Sequence, residues 1–314
     1  MTSLSFRNRL KAWWEGYDGQ EYDAWLEARS RAKSAKATTP VGVAKSAFAP
    51  ADTAWKQERI EISNLVWGDG YCGPGGPQHV IDLSKLLGLT PEMSILILGG
   101  GLGGPARVLA KEYGCYVDAY EQSRSLAAAG SEMSVVAGLA KKAVIEPYDF
   151  NKCPPFKRKY DAAVSTEALF MVEKKTEALN AVQASLKPCK LFVITDYVLA
   201  DNVDTGDPDI REWIENEPSP IYPVQNQAMT QLIEQNQFNL RVKEDLGENF
   251  RSLIAKCWGQ AGDLVQQLLE RGDEGRPLVD MLLREATLWS RRSALITKHK
   301  VQVMRYLAER VWFD

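Results

Sequence analysis

Residues 94–104 read Ser-Ile-Leu-Ile-Leu-Gly-Gly-Gly-Leu-Gly-Gly, an apolar run that passes directly into a glycine-rich turn. A short, unbroken apolar run is typical of a parallel strand that is buried on both faces. The glycines allow a tight turn and the close approach of a ligand, and we expect the N–H groups at the following helix start to be free to bind it. Gly99, Gly101 and Gly104 also satisfy the GxGxxG spacing, so the turn alone leaves the ligand open, including no ligand at all.

Strands and helices alternate on both sides of this turn. We predict further strands at 115–120, 143–146, 162–165 and 191–195, and helices at 55–66, 79–87, 107–113, 125–140 and 174–186. Such alternation predicts an α/β fold with a doubly wound parallel sheet. Beyond residue 201 we predict helices at 210–216, 225–237, 251–271 and 277–297, and strand-like segments at 240–245 and 301–308.

Acidic residues end the next two strands. Glu121 lies where a carboxylate accepts hydrogen bonds from ribose hydroxyls, and Asp149 follows the third strand, in reach of an adenine amino group. The alternatives are a solvated strand-end glutamate and an ordinary turn aspartate. Because ligands bind at the carboxyl ends of parallel strands, the glycine turn and both carboxylates together favour a nucleoside-containing cofactor.

The composition excludes several classes of protein. A net charge of −3 in 314 residues argues against an extended nucleic-acid interface. We find no apolar run long enough for a membrane span and no signal peptide, and five scattered cysteines indicate a reducing, cytoplasmic compartment without disulfides. Two histidines and the absence of paired cysteines predict no metal site.

The N-terminal segment has two interpretations. Residues 5–36 form a predicted amphipathic helix, and residues 35–51 form a predicted linker. Basic residues beside two tryptophans between positions 7 and 14 fit a membrane surface. Acidic residues follow at once, so we favour packing against the protein's own domain, a second subunit or a partner protein.

The chain resembles class I S-adenosylmethionine-dependent methyltransferases, and within them the phosphoethanolamine N-methyltransferase-like branch, with sterol methyltransferases as more distant relatives. The resemblance runs from about Trp67 to the C-terminus. The motifs that carry it are Trp67-Gly68-Asp69-Gly70-Tyr71, Gly75-Gly76, the glycine turn at 99–104, Glu121, Asp149, Thr195-Asp196-Tyr197 and Trp289-Ser290-Arg291.

The resemblance implies S-adenosylmethionine as the cofactor and a mostly parallel sheet whose last strand is antiparallel. The implied cofactor-binding residues are Gly99, Gly101 and Gly103 for the amino-acid moiety, Glu121 for the ribose, Asp149 for the adenine, and Ser165. It further implies three parts: an N-terminal extension (1–60), a cofactor-binding core (61–200) and an acceptor region (201–314).

The resemblance also implies the reaction centre. Tyr71 belongs to a lid, Glu167 lies where the branch keeps a catalytic aspartate, and Tyr197 and Tyr222 line the acceptor pocket. We predict that Glu167 positions a nucleophilic amine and accepts its proton. The competing interpretations are a helix-capping glutamate for Glu167 and a core tyrosine for Tyr71.

Four departures from the branch are visible. Ile97 replaces an acidic residue two positions before the glycine turn, Met171 replaces a histidine beside the lid, and Cys189-Lys190 replace two glycines. The segment 217–220 offers no counterpart of a phosphate-binding arginine. The histidine and arginine departures argue against phosphoethanolamine as the acceptor.

The favoured function is therefore methyl transfer to a small-molecule or lipid-like acceptor, with nitrogen as the favoured atom. The alternative is a methyltransferase-like subunit that has lost turnover and serves binding or regulation. A nicotinamide-dependent enzyme is a weaker third hypothesis.

Overall fold

The computed structural model describes residues 49–311, which contain one sheet of seven strands. The strands are β1 (Ser94–Leu98), β2 (Tyr116–Glu121), β3 (Ala143–Pro147), β4 (Tyr160–Thr166), β5 (Leu186–Leu199), β6 (Phe238–Asp245) and β7 (Val301–Arg310). Their order is β3-β2-β1-β4-β5-β7-β6; β1 to β5 are parallel, and β7 pairs antiparallel with both of its neighbours. The predicted α/β fold with an antiparallel last strand is confirmed.

Helices connect the strands and cover the sheet. The α-helices are α1 (Ala49–Ala54), α2 (Gln57–Trp67), α3 (Gly76–Ser84), α4 (Gly104–Glu112), α5 (Arg124–Val136), α6 (Lys175–Ser185), α7 (Pro208–Asn216), α8 (Asn226–Gln235), α9 (Gly247–Trp258), α10 (Ala261–Glu270) and α11 (Gly275–Thr297). The prediction of one helix over 251–271 is wrong, because α9 ends at Trp258 and α10 begins at Ala261. Gly259, a poor helix former, lies at the break.

Strand β1 is buried on both faces, as its unbroken apolar sequence predicts. Ile95 and Ile97 pack with residues of α4 and α5, while Leu96 and Leu98 pack on the other face with residues of α6 and α8. The ends of the other strands differ from their predicted positions by a few residues. The difference is largest in β5, which spans 14 residues rather than five.

A third apolar cluster lies beyond the carboxyl ends of the strands. It joins side chains of α2, α7, α9, α10 and α11 to Tyr71, Phe170 and Tyr197. The sheet order reverses between β1 and β4, so the connections that follow these two strands lead in opposite directions and leave a crevice at the strands' carboxyl ends. Ligands of open α/β sheets bind in such a crevice.

The N-terminal helix predicted at 5–36 and nearly all of the linker predicted at 35–51 lie outside the described residues. Helix α1 is joined to the start of α5 by the side chain of Asp52. Asp52 accepts a hydrogen bond from the Arg124 N–H (2.6 Å) at the start of α5. A carboxylate is favoured there because the helix N-terminus carries partial positive charge.

Candidate active site

A single cleft runs from the glycine turn after β1 to the helices over the sheet. The turn forms its floor through Gly99, Gly100 and Gly101, whereas Gly103 does not line the cleft and its contact with a cofactor stays a prediction. Gly99, Gly101 and Gly103 all have positive φ (75°, 52° and 78°). At Gly99 the space is also closed, since a Cβ there would lie 2.5 Å from the Ala168 Cβ. The sequence of the turn is therefore required by its backbone path.

The amides of the turn are already hydrogen-bonded, which corrects the expectation that N–H groups there are free. Gly99 and Gly100 donate to the Tyr120 carbonyl (2.9 and 3.0 Å), Gly103 donates to Gly100 (2.8 Å), and Gly104 donates to Gly70 (2.9 Å). A pyrophosphate is bound by free amides at such a turn. With these four committed, the geometry disfavours a dinucleotide and the nicotinamide hypothesis.

Glu121 ends β2 and holds the turn from the side. Its Oε2 accepts from the Gly101 N–H (2.8 Å) and its Oε1 from the Ser123 N–H (2.9 Å). Burial raises the pKa of this carboxyl, while the N–H donors lower it. The residue is 8% exposed and lines the cleft, so the interpretation as a solvated strand-end glutamate is wrong. Each oxygen keeps a second lone pair for a ligand hydroxyl.

Asp149 and Ser165 lie just behind the cleft wall. Asp149 Oδ1 accepts from the Asn151 N–H (3.0 Å), whereas Oδ2 is buried without a hydrogen bond, 3.4 Å from the Lys152 ammonium. Asn151, rather than Asp149, lines the cleft, and Thr166 lines it rather than Ser165, whose hydroxyl is buried without a partner. Their contact with a cofactor stays a prediction.

Glu167 follows β4 and projects into the cleft. Its φ is +47°, its N–H donates to the Thr195 carbonyl (2.7 Å), and the Thr195 hydroxyl donates to Oε1 (2.6 Å). The alternative of a capping glutamate does not fit, because α6 begins only at Lys175. Burial raises the pKa of Glu167 to about 7, against the opposing effects of the Thr195 hydrogen bond and the Arg292 charge. Glu167 can therefore exchange a proton near neutral pH.

Tyr71 fits both of its interpretations. Its ring packs so closely on Gly104 that a Cβ there would lie 2.9 Å from Cζ, and the residue belongs to the apolar cluster. It also lines the cleft, and its buried hydroxyl has no hydrogen-bond partner. Burial raises its pKa to about 12, opposed by the Arg107 charge, so the phenol stays protonated.

Tyr197 and Tyr222 line the far end of the cleft. Tyr197 is fully buried on β5, against Phe170 at 5.1 Å between ring centroids. Tyr222 is 37% exposed, and its backbone is fixed: its N–H donates to the Phe170 carbonyl (2.6 Å), and its carbonyl accepts from the Lys175 ammonium. The structure thus brings both predicted acceptor tyrosines to one end.

Two buried ion pairs at this end were not predicted from the sequence. Arg292 donates through Nε and Nη2 to the two oxygens of Glu217, both at 2.8 Å, and the Trp213 indole donates to the same carboxylate (2.6 Å). The guanidinium also lies over the rings of Trp289 (4.7 Å) and Tyr197 (5.2 Å). Burial lowers the pKa of Arg292, but the opposing effect of Glu217 is larger and raises it above its usual value, so the guanidinium stays charged.

The second pair joins α2 to α11. Arg59 Nε lies 2.7 Å from Glu285 Oε1, and the Trp289 indole donates to Oε2 of the same carboxylate (3.3 Å). Arg59 also lies over the Trp55 ring at 4.0 Å. Only Trp289 carried a sequence signal, as part of the resemblance; the charged partners are too far apart in the chain to form a motif.

The departures from the branch have structural places. Ile97 is fully buried in β1, Met171 lines the cleft, and Cys189 is exposed with a φ of +56°, a conformation that glycine adopts more easily. In the described part of the chain no group of three or more His, Cys, Asp or Glu side chains is arranged to hold a metal. No helix within residues 49–311 combines the length and apolar character that crossing a bilayer requires.

A reversing parallel sheet, a glycine turn after its first strand, a carboxylate closing its second and an antiparallel last strand define the fold of class I S-adenosylmethionine-dependent methyltransferases. The structure of phosphoethanolamine N-methyltransferase 2 from Haemonchus contortus, in complex with phosphomonomethylethanolamine and S-adenosylhomocysteine, matches with a TM-score of 0.74. The match has 17% identity and covers 86% of this chain and 61% of the other.

Sequence comparison gives the same branch. The chain is 24% identical over 215 residues to the sterol 24-C-methyltransferase of Schizosaccharomyces pombe, covering 68% of this chain and 56% of that protein. It is 20% identical over 202 residues to the phosphoethanolamine N-methyltransferase of Plasmodium falciparum, covering 64% and 74%. The chain spans about half the length of the sterol methyltransferases it matches. No protein-family model matches. The resemblance predicted from the sequence is confirmed.

Proposed function

We propose that the protein is an S-adenosylmethionine-dependent methyltransferase that transfers a methyl group to nitrogen in a small-molecule or lipid-like acceptor. One observation carries the proposal: a single cleft connects the glycine turn and Glu121 to Glu167, a carboxylate with a pKa of about 7. The similar proteins are named as methyltransferases of sterols and of phosphoethanolamine, which supports a small-molecule acceptor.

The residues near the turn fit this cofactor. Glu121 retains acceptor capacity for two ribose hydroxyls, and Oδ2 of Asp149, which accepts no hydrogen bond within the protein, offers an acceptor to an adenine amino group. The closed path of the turn at 99–104 fits the short, zwitterionic amino-acid moiety, which has no net charge, better than a pyrophosphate. When bound, S-adenosylmethionine supplies an electrophilic methyl group on a sulfonium.

The chain's own residues orient the acceptor and remove a proton. As the new N–C bond forms and the S–C bond breaks, the nitrogen gains positive charge, and the Glu167 carboxylate accepts the N–H proton directly or through a water. Thr195 fixes that carboxylate by its hydrogen bond, and the Tyr71 ring lines the same cleft. Orientation of two reactants can lower a barrier by ~7–11 kcal/mol, so positioning is the larger contribution.

Calorimetric titration with S-adenosylhomocysteine tests the cofactor assignment. We expect binding to the wild type, loss of binding in Glu121→Ala, and unchanged binding in Glu132→Ala, an exposed glutamate on α5. Thermal unfolding of both variants verifies that they are folded. A wild-type protein that does not bind would contradict the proposal.

The acceptor is found by incubating the protein with labelled methyl donor and a metabolite extract. We expect a labelled basic product, extracted from alkaline but not from acidic solution, as an amine is. A labelled ether or hydrocarbon product would overturn nitrogen as the accepting atom while leaving the methyltransferase assignment standing.

A second candidate is a subunit that binds the cofactor without turnover. Ile97 favours it, because a buried apolar side chain replaces the acidic residue usual in the branch. Binding of S-adenosylhomocysteine without any labelled product from extracts would favour this candidate.

The roles of the three parts of the chain and the cellular compartment are also proposals. We assign cofactor binding to residues 61–200 and the acceptor pocket to residues 201–314, with 1–60 as an extension that docks on a subunit or partner. Five unpaired cysteines support a reducing, cytoplasmic compartment.

A further inference from the structure

The cleft contains positive charge, but that charge is already neutralised. Among the described residues that line it, the basic side chains are Arg59, His79 and Arg292. Arg59 is paired with Glu285, and Arg292 with Glu217. Burial lowers the pKa of His79, so its imidazole is neutral near pH 7. Glu167 adds a carboxylate with no basic partner in hydrogen-bond contact.

The Arg292–Glu217 pair is held too firmly to yield to an entering anion. The two side chains are 10% and 3% exposed, and both donor–acceptor distances are 2.8 Å. The Trp213 indole keeps Glu217 in place, and Trp289 and Tyr197 keep Arg292 in place. An anion that displaced Glu217 would leave a buried carboxylate without its cation, which is strongly unfavourable.

An anionic acceptor would therefore meet the Glu167 carboxylate and a guanidinium whose charge Glu217 already balances. Phosphate and carboxylate groups are normally bound by free guanidinium forks. Here Glu217 already occupies the Nε and Nη2 groups of Arg292. An uncharged amine that becomes a cation on methylation meets no such obstacle, and the Glu167 charge favours it.

We infer that Glu217 is a specificity-determining residue: by neutralising Arg292 it excludes phosphorylated acceptors and restricts the site to amines without an anionic group. The inference rests on the proposed function, because it concerns the acceptor of the methyl group. Binding of an anion to the cleft can nevertheless be measured without turnover. It also separates this chain from the nematode structure, which holds phosphomonomethylethanolamine.

Titration with phosphoethanolamine, in the presence and absence of S-adenosylhomocysteine, tests the inference. We expect no binding to the wild type and at least ~10-fold tighter binding to Glu217→Gln, where Arg292 has lost its counter-charge. The double variant Glu217→Gln/Arg292→Gln should lose the gained binding. Glu215→Gln, which changes an exposed glutamate two residues away, should behave as the wild type.

Binding of phosphoethanolamine to the wild type that is lost in Arg292→Gln would overturn the inference, as would a folded Glu217→Gln variant without gained binding. If thermal unfolding indicates that Glu217→Gln does not fold, the wild-type titration still decides. Products from the labelled extract add a further readout: label whose ion-exchange mobility changes after phosphatase treatment would contradict the inference. Absence of any labelled product would instead count against the proposed function, and the titrations would still decide the inference.

Discussion

The cofactor end of the cleft is built from neighbours in sequence, whereas the acceptor end is built from residues far apart. Glu121 and Gly101, which join the turn to β2, are 20 residues apart, while Arg59 and Glu285 are separated by 226. The first end relies on backbone conformation and backbone donors, and the second on side-chain ion pairs between helices. The first is therefore constrained by the fold itself, while the second can change without altering the sheet.

The largest effect should come from Glu167, where the two ends meet. Glu167→Gln removes the proton acceptor but keeps the shape, so we expect kcat to fall by ~10²–10⁴. Binding of S-adenosylhomocysteine should change by less than about twofold, because the carboxylate faces the acceptor. Turnover and calorimetry on the same preparation measure both quantities.

Glu173→Gln is the matched control, since Glu173 lies six residues further along the same connection and is exposed. It should turn over as the wild type does. If Glu167→Gln turned over as fast as the wild type, Glu167 would not belong to the reaction centre. The two ends of the cleft would then share no residue.

Breaking the pair between α2 and α11 tests whether the acceptor end is held by buried charge. Glu285→Gln leaves the Arg59 guanidinium buried without its counter-charge, and we expect the free energy of unfolding to fall by about 3–5 kcal/mol. Urea unfolding measures the change. In contrast, Glu61→Gln breaks the more exposed pair with Arg271 and should cost less than about 1 kcal/mol. Equal costs would mean that burial does not distinguish the two pairs.

Gly99→Ala tests the cofactor end in the same way. The new methyl group would overlap the Ala168 Cβ at a positive φ, and we expect a loss of ~2–4 kcal/mol in stability together with weaker cofactor binding. Gly88→Ala also has a positive φ but meets no atom within 4 Å, so it should cost only ~1–2 kcal/mol and leave binding unchanged. Equal losses of stability in Gly99→Ala and Gly88→Ala would indicate that the cost comes from backbone strain alone, without the contact with Ala168.

The smallest effect is the pH dependence that Glu167 imposes. Since its pKa is raised to about 7 and the ionised form is the proton acceptor, kcat/KM should rise with pH and be about tenfold below its plateau at pH 6. The same shift acts on stability with the opposite sign: its contribution is present below pH 4.5, the ordinary value, and is lost as the pH rises through 7. A pH profile of Glu167→Gln without the step near 7 assigns it to this residue.

The sequence predicted the sheet well, and it identified the glycine turn and Glu121, which the structure brings into contact, for a physical reason. Apolar strands, a glycine turn and an acidic strand end are local patterns, and each retains its meaning without knowledge of the rest of the chain. The sequence did not predict that the N–H groups of the turn are already hydrogen-bonded, because these bonds depend on contacts with Tyr120 and Gly70. It also did not predict the helix break at Gly259, which depends on small differences in helix propensity.

The acceptor end could be predicted only in part. The resemblance named Tyr197 and Tyr222, which both line the cleft, and their contact with an acceptor stays a prediction. The pairing of Arg292 with Glu217 was not predicted, since no local pattern links two charges 75 residues apart. Residues 217–220, where no arginine was found, line the cleft together with Arg292 of α11. The side chain of Glu217 is the partner of that arginine.

The left-handed backbone at Glu167 has a consequence for engineering. A residue with a Cβ in this conformation costs ~1–2 kcal/mol relative to one that adopts it freely, and its buried carboxylate is ionised only at a further cost above pH 7. Selection for heat tolerance alone should therefore favour Glu167→Gly, a variant that would lack the proton acceptor of the proposed reaction. Libraries screened for thermostability would have to hold this codon fixed.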